Sequence, residues 1–312
     1  MAAGGNGTAV TYFILLGLTN RTDLKGLLFG SFLLIYTMTL MGNLGMMALI
    51  HADPHLHTPM YFFLSTLSFI DICYSSVVTP RLLADFLTID KSISYTGCMA
   101  QMAFLILHGT AECLLLATMA YDRFVAICRL LLYHTLMSRR MCIWLVSVAY
   151  TLSIANSAVQ TSNVFRLPFC GPNHINDYFC DITPLLQLVC SDTTTAKLIL
   201  YIFSALATMT TLTIILVSYG YILVTIGRMS SAEGRRKALS TCASHFMAIS
   251  LFYGTVFFMY IKPRAGDSMD QDKVISVLYT IVIPMLNPLI YSLRNREVKD
   301  SLRRKICGKI FP

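Results

Sequence analysis

The sequence predicts an all-α membrane protein, a bundle of seven transmembrane helices. Seven stretches are each long and apolar enough to cross the hydrocarbon core of a bilayer, which takes roughly 20 helical residues. Lipid cannot satisfy unpaired backbone polar groups, so these stretches should be helical. The composition of the 312-residue chain agrees, with 55% hydrophobic and 13% charged residues and a mean hydropathy of +0.64.

Five of the seven spans contain no Asp, Glu, Lys or Arg, and they cover residues 26–52, 141–165, 198–227, 238–261 and 274–293. The spans 54–80 and 92–121 contain one acid each, Asp71 and Glu112. We therefore expect a single membrane domain, with an outer tail over residues 1–25, the helix bundle over 26–293 and a cytoplasmic tail over 294–312.

The net charge of +8 is distributed as membrane topology requires and does not indicate nucleic-acid binding. With the N-terminus outside, 15 of the 24 Lys and Arg residues and five of the 16 acids lie on the cytoplasmic side. Because basic residues concentrate on that side, this orientation is favoured. Asn6 and Asn20 begin glycosylation sequons in the predicted outer tail. No basic residue precedes the apolar residues 9–18, so we expect the first helix to direct insertion without a cleaved signal peptide.

Four cysteines lie on the predicted outer side, where disulfides form, and they are Cys98, Cys170, Cys180 and Cys190. Four cysteines allow three pairings. We favour Cys98 with Cys180, which ties the outer end of the third helix to the loop above it. The remaining pair, Cys170 with Cys190, would then lie within that loop.

The most specific motif is MAYDRFVAIC at residues 119–128, where the third predicted helix ends. It resembles the MAYDRYVAIC signature of the vertebrate olfactory receptors, a branch of the rhodopsin-like G-protein-coupled receptors. Further matches follow in order: LHTPMYFFL at 56–64, three cysteines in the loop 169–193, Ser218-Tyr219, KALSTCASH at 237–245 and PMLNPLIYSLRN at 284–295. The resemblance covers nearly the whole chain. It departs from the family pattern at Phe124, Leu130, Thr183 and Leu239, where Tyr, Pro, Pro and Phe are usual.

The resemblance implies that ligand binding swings the sixth helix outward and admits a heterotrimeric G protein. The residues expected to carry this coupling are Asp122, Arg123, Tyr219, His245, Asn287, Pro288 and Tyr291. Arg123 suits a latch, because its guanidinium can hold the carboxylate of Asp122 or turn to a new acceptor. The family implies the stimulatory olfactory G protein, a rise in cyclic AMP, and a location in the plasma membrane of sensory-neuron cilia.

Asp71 and Glu112 are ionisable groups at membrane depth, where such groups are costly and are functional candidates by default. His108 lies one helical turn before Glu112, so the two side chains can meet. One interpretation is a polar cluster that holds a cation or proton between the second and third helices. A purely structural hydrogen-bond cluster explains the same residues equally well.

The resemblance also implies a ligand pocket inside the bundle. One face of the third helix consists of Met102, Leu105, Ile106, Gly109, Thr110 and Cys113, although ordinary helix packing produces the same stripe. The remaining expected lining residues are Phe203, Ala207, Tyr253, Val256, Tyr260, Val277 and Thr280. This lining is apolar with a few hydroxyls, and Leu105 stands where amine receptors carry Asp. A small neutral volatile ligand therefore fits better than an amine, with Thr110, Tyr260 or Thr280 donating or accepting an orienting hydrogen bond.

After the seventh helix, Val298, Leu302, Ile306 and Ile310 alternate with basic residues, a pattern typical of an amphipathic helix on the cytoplasmic membrane surface.

Other functions of membrane proteins fit the sequence less well. The seventh helix has no Lys for a retinal Schiff base, and no repeat of the transporter type is evident. Ser244 and His245 are adjacent and so face different directions on a helix, which argues against a hydrolase. His51, His55 and His57 are loosely suited to a metal but are typical of a solvated loop. We expect an odorant receptor in the lipid membrane, with no enzymatic activity, cofactor, metal or nucleic-acid partner.

Overall fold

The computed structural model describes residues 10–19, 21–170, 173–261, 269–294 and 296–310. The predicted glycosylation sites Asn6 and Asn20 lie outside these residues, as does the side chain of the predicted pocket residue Tyr260.

In the described part of the chain, seven helices are long and apolar enough to cross a membrane, so the predicted bundle is confirmed and the protein is a multi-pass membrane protein. They are α1 (Thr22–Ala52), α2 (Pro59–Leu87), α3 (Tyr95–Cys128), α4 (Arg139–Phe165), α5 (Thr194–Arg228), α6 (Ala232–Ile261) and α7. The last of these, α7, consists of Met269–Val277, a π-helical segment Leu278–Val282 and Ile283–Arg294.

A proline, an ion pair and a side-chain cap help to set where α2 and α3 begin and end. A charged residue does not always end a helix. Pro59 starts α2, because the first turn of a helix needs no backbone N–H from that position. The same helix continues past the predicted end at residue 80, since Arg81 and Asp85 form an ion pair of 2.9 Å one turn apart. The hydroxyl of Ser94 accepts a hydrogen bond of 3.0 Å from the Gly97 amide and caps α3.

A three-stranded sheet, which the sequence did not predict, lies beside the start of α3. Strand β1 (Tyr12–Leu15) pairs antiparallel with β2 (Ser92–Ser94) and parallel with β3 (His174–Ile175). Phe13 and Leu15 on β1 are fully buried. Part of the segment predicted to be a tail is therefore folded, because its two apolar side chains complete the core at this end of the bundle.

Disulfides join Cys98 to Cys180 and Cys170 to Cys190, the pairing that the sequence favours. The first connects the first turn of α3 to the loop between α4 and α5, and Cys98 and Cys180 are both fully buried. The second closes that loop on itself.

The predicted amphipathic helix is present as α8 (Arg296–Ile310). Val298 is 1% exposed and packs into the core of the bundle. The Arg304 guanidinium lies 2.8 Å from the Asp53 carboxylate, in the loop between α1 and α2. Tyr61 on α2 donates a hydrogen bond of 2.7 Å to Glu297. These contacts hold α8 against the ends of α1 and α2.

Candidate functional site

A cavity of about 420 Å³ lies between α3, α4, α5 and α6, with further lining residues from α2, α7 and the loop between α4 and α5. Its volume falls within the range of about 300–1,000 Å³ that is usual for small-molecule sites. Seven residues of the predicted pocket line it, and they are Ile106, Gly109, Thr110, Cys113, Ala207, Tyr253 and Val256.

Five predicted lining residues do not line this cavity: Met102, Leu105, Phe203, Val277 and Thr280. Met102 is 1% exposed and packs in the apolar cluster around the Cys98–Cys180 disulfide. Leu105 packs against residues of α2 and the loop. Met102 and Leu105, which are nearer the start of α3, thus pack against other parts of the protein. The residues of the predicted face that line the cavity are Ile106, Gly109, Thr110 and Cys113.

Thr280 is unsuited to the ligand-orienting role that was predicted for it. Its side chain is fully buried, and its hydroxyl donates to the Ser276 carbonyl at 2.7 Å. The same hydroxyl lies 3.1 Å from the hydroxyl of Tyr178, in the loop between α4 and α5. Thr280 therefore anchors the loop to α7.

The cavity wall includes a chain of hydrogen bonds from α4 that the sequence analysis missed. Gln160 donates to the amide oxygen of Asn156 at 2.8 Å, and Asn156 donates to the hydroxyl of Thr110 at 2.8 Å. Two amides one helical turn apart in a span without charged residues were the signal that could have predicted this wall. Thr110 does line the cavity, but its hydroxyl already donates to the Ile106 carbonyl at 2.7 Å.

The cavity is more polar than the predicted pocket. The loop and the start of α5 contribute one acidic and one basic side chain, Asp181 and Lys197. The other lining residues that were not predicted are Tyr74, Ile182, Thr183, Leu186, Gln187, Leu200, Tyr201, Ser204, Thr208, Phe252 and Tyr279. Many of them carry hydroxyl groups, which can bind a hydrogen-bonding group on a ligand.

The buried polar cluster joins three helices, and α7 provides the central residue. Asn287 donates to both carboxylate oxygens of Asp71 at 3.1 Å, and it also lies within hydrogen-bonding reach of Glu112. Nδ1 of His108, which was predicted to be able to meet Glu112, bonds the Phe104 carbonyl of its own helix at 2.8 Å. The cluster therefore links α2 and α3 through Asn287.

Three residues of the predicted coupling region, Arg123, Tyr219 and His245, lie where α3, α5 and α6 meet. The Tyr219 hydroxyl lies 2.9 Å from Nδ1 of His245, which joins α5 to α6. Arg123 is 7% exposed. Asp122 accepts a hydrogen bond of 3.0 Å from Tyr133, and no ion pair joins it to Arg123 among the described residues.

Tyr133 thus takes the place predicted for Arg123 as the partner of Asp122. Tyr133 lies in the short helix Tyr133–Leu136 between α3 and α4. Burial and the neighbouring Asp122 carboxylate raise the pKa of Tyr133. Its hydroxyl therefore stays protonated and acts as the donor. The Arg123 guanidinium is close enough to His245 and Tyr219 to interact with both electrostatically.

Pro288 and Tyr291 lie in the last part of α7, against α1 and α2. A Cβ atom on Gly42 of α1 would lie 3.0 Å from Cγ of Pro288, so any other residue here would push α1 and α7 apart by a few tenths of an ångström. Asn43 donates to the Pro284 carbonyl at 3.0 Å, which joins α1 to α7 one helical turn before Pro288. Tyr291 is 1% exposed.

Three leucines after α3 form an exposed apolar turn, Leu130–Leu132. Leu131 is 98% exposed and Leu130 is 70% exposed. Leu130 was expected only to depart from the family pattern, and no role was predicted for Leu131. Such exposure of adjacent large apolar side chains is typical of a surface that contacts a partner.

The comparisons with known proteins agree with this architecture. The sequence profile described as olfactory receptor matches residues 32–309. Mouse olfactory receptor 5AP2 is 55% identical over 299 residues, which cover 96% of this chain and 94% of the relative. Human olfactory receptor 5B21 is 53% identical over 307 residues, which cover 98% of this chain and 99% of the relative. The chain therefore belongs to the olfactory receptor family, and it is a receptor rather than an enzyme.

Proposed function

We propose that this olfactory receptor binds a small, neutral, largely apolar volatile odorant in the cavity between α3, α4, α5 and α6. Binding activates a heterotrimeric G protein of the stimulatory olfactory type, which raises cyclic AMP. In this proposal the N-terminus is outside, the C-terminus is cytoplasmic, and the receptor works in the plasma membrane of sensory-neuron cilia.

The observation that supports signalling most directly is that the cavity and the coupling region share three helices, α3, α5 and α6. Tyr253 lines the cavity, and its hydroxyl donates to Thr211 of α5 at 2.7 Å. Eight residues earlier on α6, about 12 Å along the helix axis, His245 is bonded to Tyr219 of α5. A ligand that displaces Tyr253 therefore shifts α6 against α5 and changes the geometry of the Tyr219–His245 pair.

The lining chemistry supports a neutral ligand with one hydrogen-bonding group. Phe252, Val256 and Ile106 give the cavity apolar surface, whereas Ser204 and Thr208 supply hydroxyls on α5. The two charged lining residues have opposite signs, so the wall has no net charge that would attract an ion. An alcohol, aldehyde, ketone or ester of about ten heavy atoms matches a cavity of about 420 Å³.

The exposed turn Leu130–Leu132 supplies the apolar contact for the G protein. It directly follows α3 and lies close to Arg123 in sequence, so a partner docked there contacts the coupling region as well. Basic residues at the end of α5 and the start of α6, which include Arg228, Arg235 and Arg236, are exposed on the same proposed cytoplasmic side and favour an acidic partner.

A cyclic-AMP reporter screen of volatile compounds tests the proposal. In cells expressing the receptor, some compounds should raise cyclic AMP in a concentration-dependent manner. Gly109→Leu, which places a side chain in the cavity, should abolish those responses. Gly254→Leu is the matched control, because no atom lies within 4 Å of a Cβ placed at that position. Responses that survive Gly109→Leu unchanged would refute the cavity as the odorant site.

Epitope tags at the two ends test the proposed topology. In intact cells, an antibody should reach a tag before residue 10 and should reach a tag after residue 310 only when the membrane is permeabilised. Access to both tags in intact cells would contradict it.

A further inference from the structure

A second cavity, of about 500 Å³, lies where α1 ends and where α2 and α4 begin. Its wall is apolar and includes Met47 and Ile50 of α1, Phe62 of α2, and Met137 just before α4. It is separate from the odorant cavity and shares no lining residue with it. None of the coupling residues lines it, so the proposed function leaves this cavity unexplained.

The opening of the second cavity is basic. His51, His57 and Arg139 line it and are exposed, and none of its described lining residues is acidic. Nε2 of His57 lies 3.3 Å from the His51 carbonyl, so this ring nitrogen is the donor and the ring is held at the opening. The Asp53 carboxylate of the same loop is paired with Arg304 at 2.8 Å and does not line the cavity. The opening therefore suits an anion.

The second cavity also lies at the level of the lipid headgroups. Trp144, the single Trp of the chain, is on α4 and is 59% exposed. It follows Arg139 by five residues, which is about 7.5 Å along a helix, and Trp side chains concentrate at the interface between membrane and water. Phe62 is 36% exposed on the same side as the cavity. In a bilayer we therefore expect the opening to face lipid as well as water.

We propose that the second cavity binds an anionic phospholipid of the cytoplasmic leaflet. The headgroup phosphate pairs with Arg139, whose planar guanidinium matches phosphate geometry, and accepts a hydrogen bond from a ring N–H of His51. The start of an acyl chain lies along Phe62 and the apolar wall. Anionic lipids are concentrated in the cytoplasmic leaflet, which is the leaflet that the proposed topology places here.

Lipid binding to the full receptor in neutral detergent micelles tests this proposal. The probe is fluorescent phosphatidylserine, and the competitors are unlabelled phosphatidylserine, phosphatidylcholine, cholesterol and inorganic phosphate. Arg139→Gln should weaken probe binding about fivefold, because one basic residue near anionic lipid contributes about 1 kcal/mol. Arg140→Gln is the matched control, since Arg140 is adjacent and exposed but does not line the cavity. It should change the affinity less than about twofold.

A second variant separates the cavity from general surface charge. Ser65→Phe fills the cavity and keeps every basic residue, and it should also weaken binding of the probe. Competition should be strong with phosphatidylserine and weak with the other three compounds. Equal losses for Arg139→Gln and Arg140→Gln would overturn the proposal, as would full binding by Ser65→Phe. Competition by phosphatidylcholine, cholesterol or inorganic phosphate as strong as that by phosphatidylserine would also overturn it.

Discussion

The hydroxyl of Tyr219 lies 2.9 Å from Nδ1 of His245, and both side chains are buried between α5 and α6. An outward swing of α6 has to break this hydrogen bond, because its two partners are on the two helices that separate. The pair therefore favours the packed arrangement of α5 and α6.

Tyr219→Phe should raise basal signalling. Loss of one hydrogen bond is worth about 1 kcal/mol, so the fraction of receptor with α6 swung outward should increase about fivefold. Basal cyclic AMP at matched surface expression measures this change. Tyr221→Phe is the control, because Tyr221 is on the same helix and is 60% exposed. Equal basal levels in Tyr219→Phe and wild type would exclude the pair as a restraint.

Ile106→Ala should change the response to odorants and Met102→Ala should lower stability, although the two residues are one turn apart on α3. Ile106 lines the odorant cavity, so its truncation should shift odorant potency by up to about tenfold and alter the order of preferred ligands. Met102 is buried in the core, so its truncation should cost about 2–5 kcal/mol of stability. Concentration–response curves and thermal stability in detergent distinguish the two. A changed ligand order in Met102→Ala would argue that the pocket extends further than the cavity.

Leu131→Ala should weaken G-protein activation about tenfold without affecting folding. Its side chain is 98% exposed, so truncation removes no internal contact. Nucleotide exchange by purified G protein at saturating odorant is the measurement. Ile89→Ala serves as the control, since Ile89 is as exposed as Leu131 but follows the end of α2, on the proposed outer side of the bundle. If both variants activate the G protein as well as wild type, the leucine turn is not the docking surface.

Docking of α8 should be independent of pH from about 8 to about 5. Asp53 lies beside the Ser301 hydroxyl of α8. This hydroxyl, together with Arg304 and His55, holds the pKa of Asp53 well below its usual range. A lowered pKa in the folded state means that the stabilisation is complete above the ordinary Asp pKa of about 3.9 and is lost only as pH falls further.

Thiol labelling of a Val298→Cys reporter, read by mass spectrometry of that peptide, measures this docking. Val298 is 1% exposed, so it reacts only when α8 separates from the bundle. Each labelling rate is divided by the rate for the same thiol in the unfolded receptor at that pH, because only the thiolate reacts. This normalised rate should be low across the pH range with Asp53 and higher at every pH with Asp53→Asn. A higher normalised rate at pH 5 than at pH 8 in the Asp53 receptor would contradict the assigned interaction.

The seven helices could be predicted because long apolar runs have one structural solution in lipid. The sheet could not be predicted, because β1, β2 and β3 are two to four residues long and come from three distant parts of the chain. Periodicity identified one face of α3 but could not show that Met102 and Leu105 pack against a loop. The contributions of Asp181 and Lys197 depend on how that loop folds over the bundle, which neighbouring sequence does not determine.

Simultaneous measurement of odorant binding and cyclic AMP in Arg123→Ala tests the central claim most directly. Cys113 lines the odorant cavity, so a bound odorant should slow its alkylation in both wild type and variant. Only the wild type should respond with a rise in cyclic AMP, because the variant lacks the guanidinium beside Tyr219 and His245. Protection of Cys113 in both proteins with signalling lost in the variant is the predicted result. An unchanged cyclic-AMP response in Arg123→Ala at equal surface expression would contradict the account.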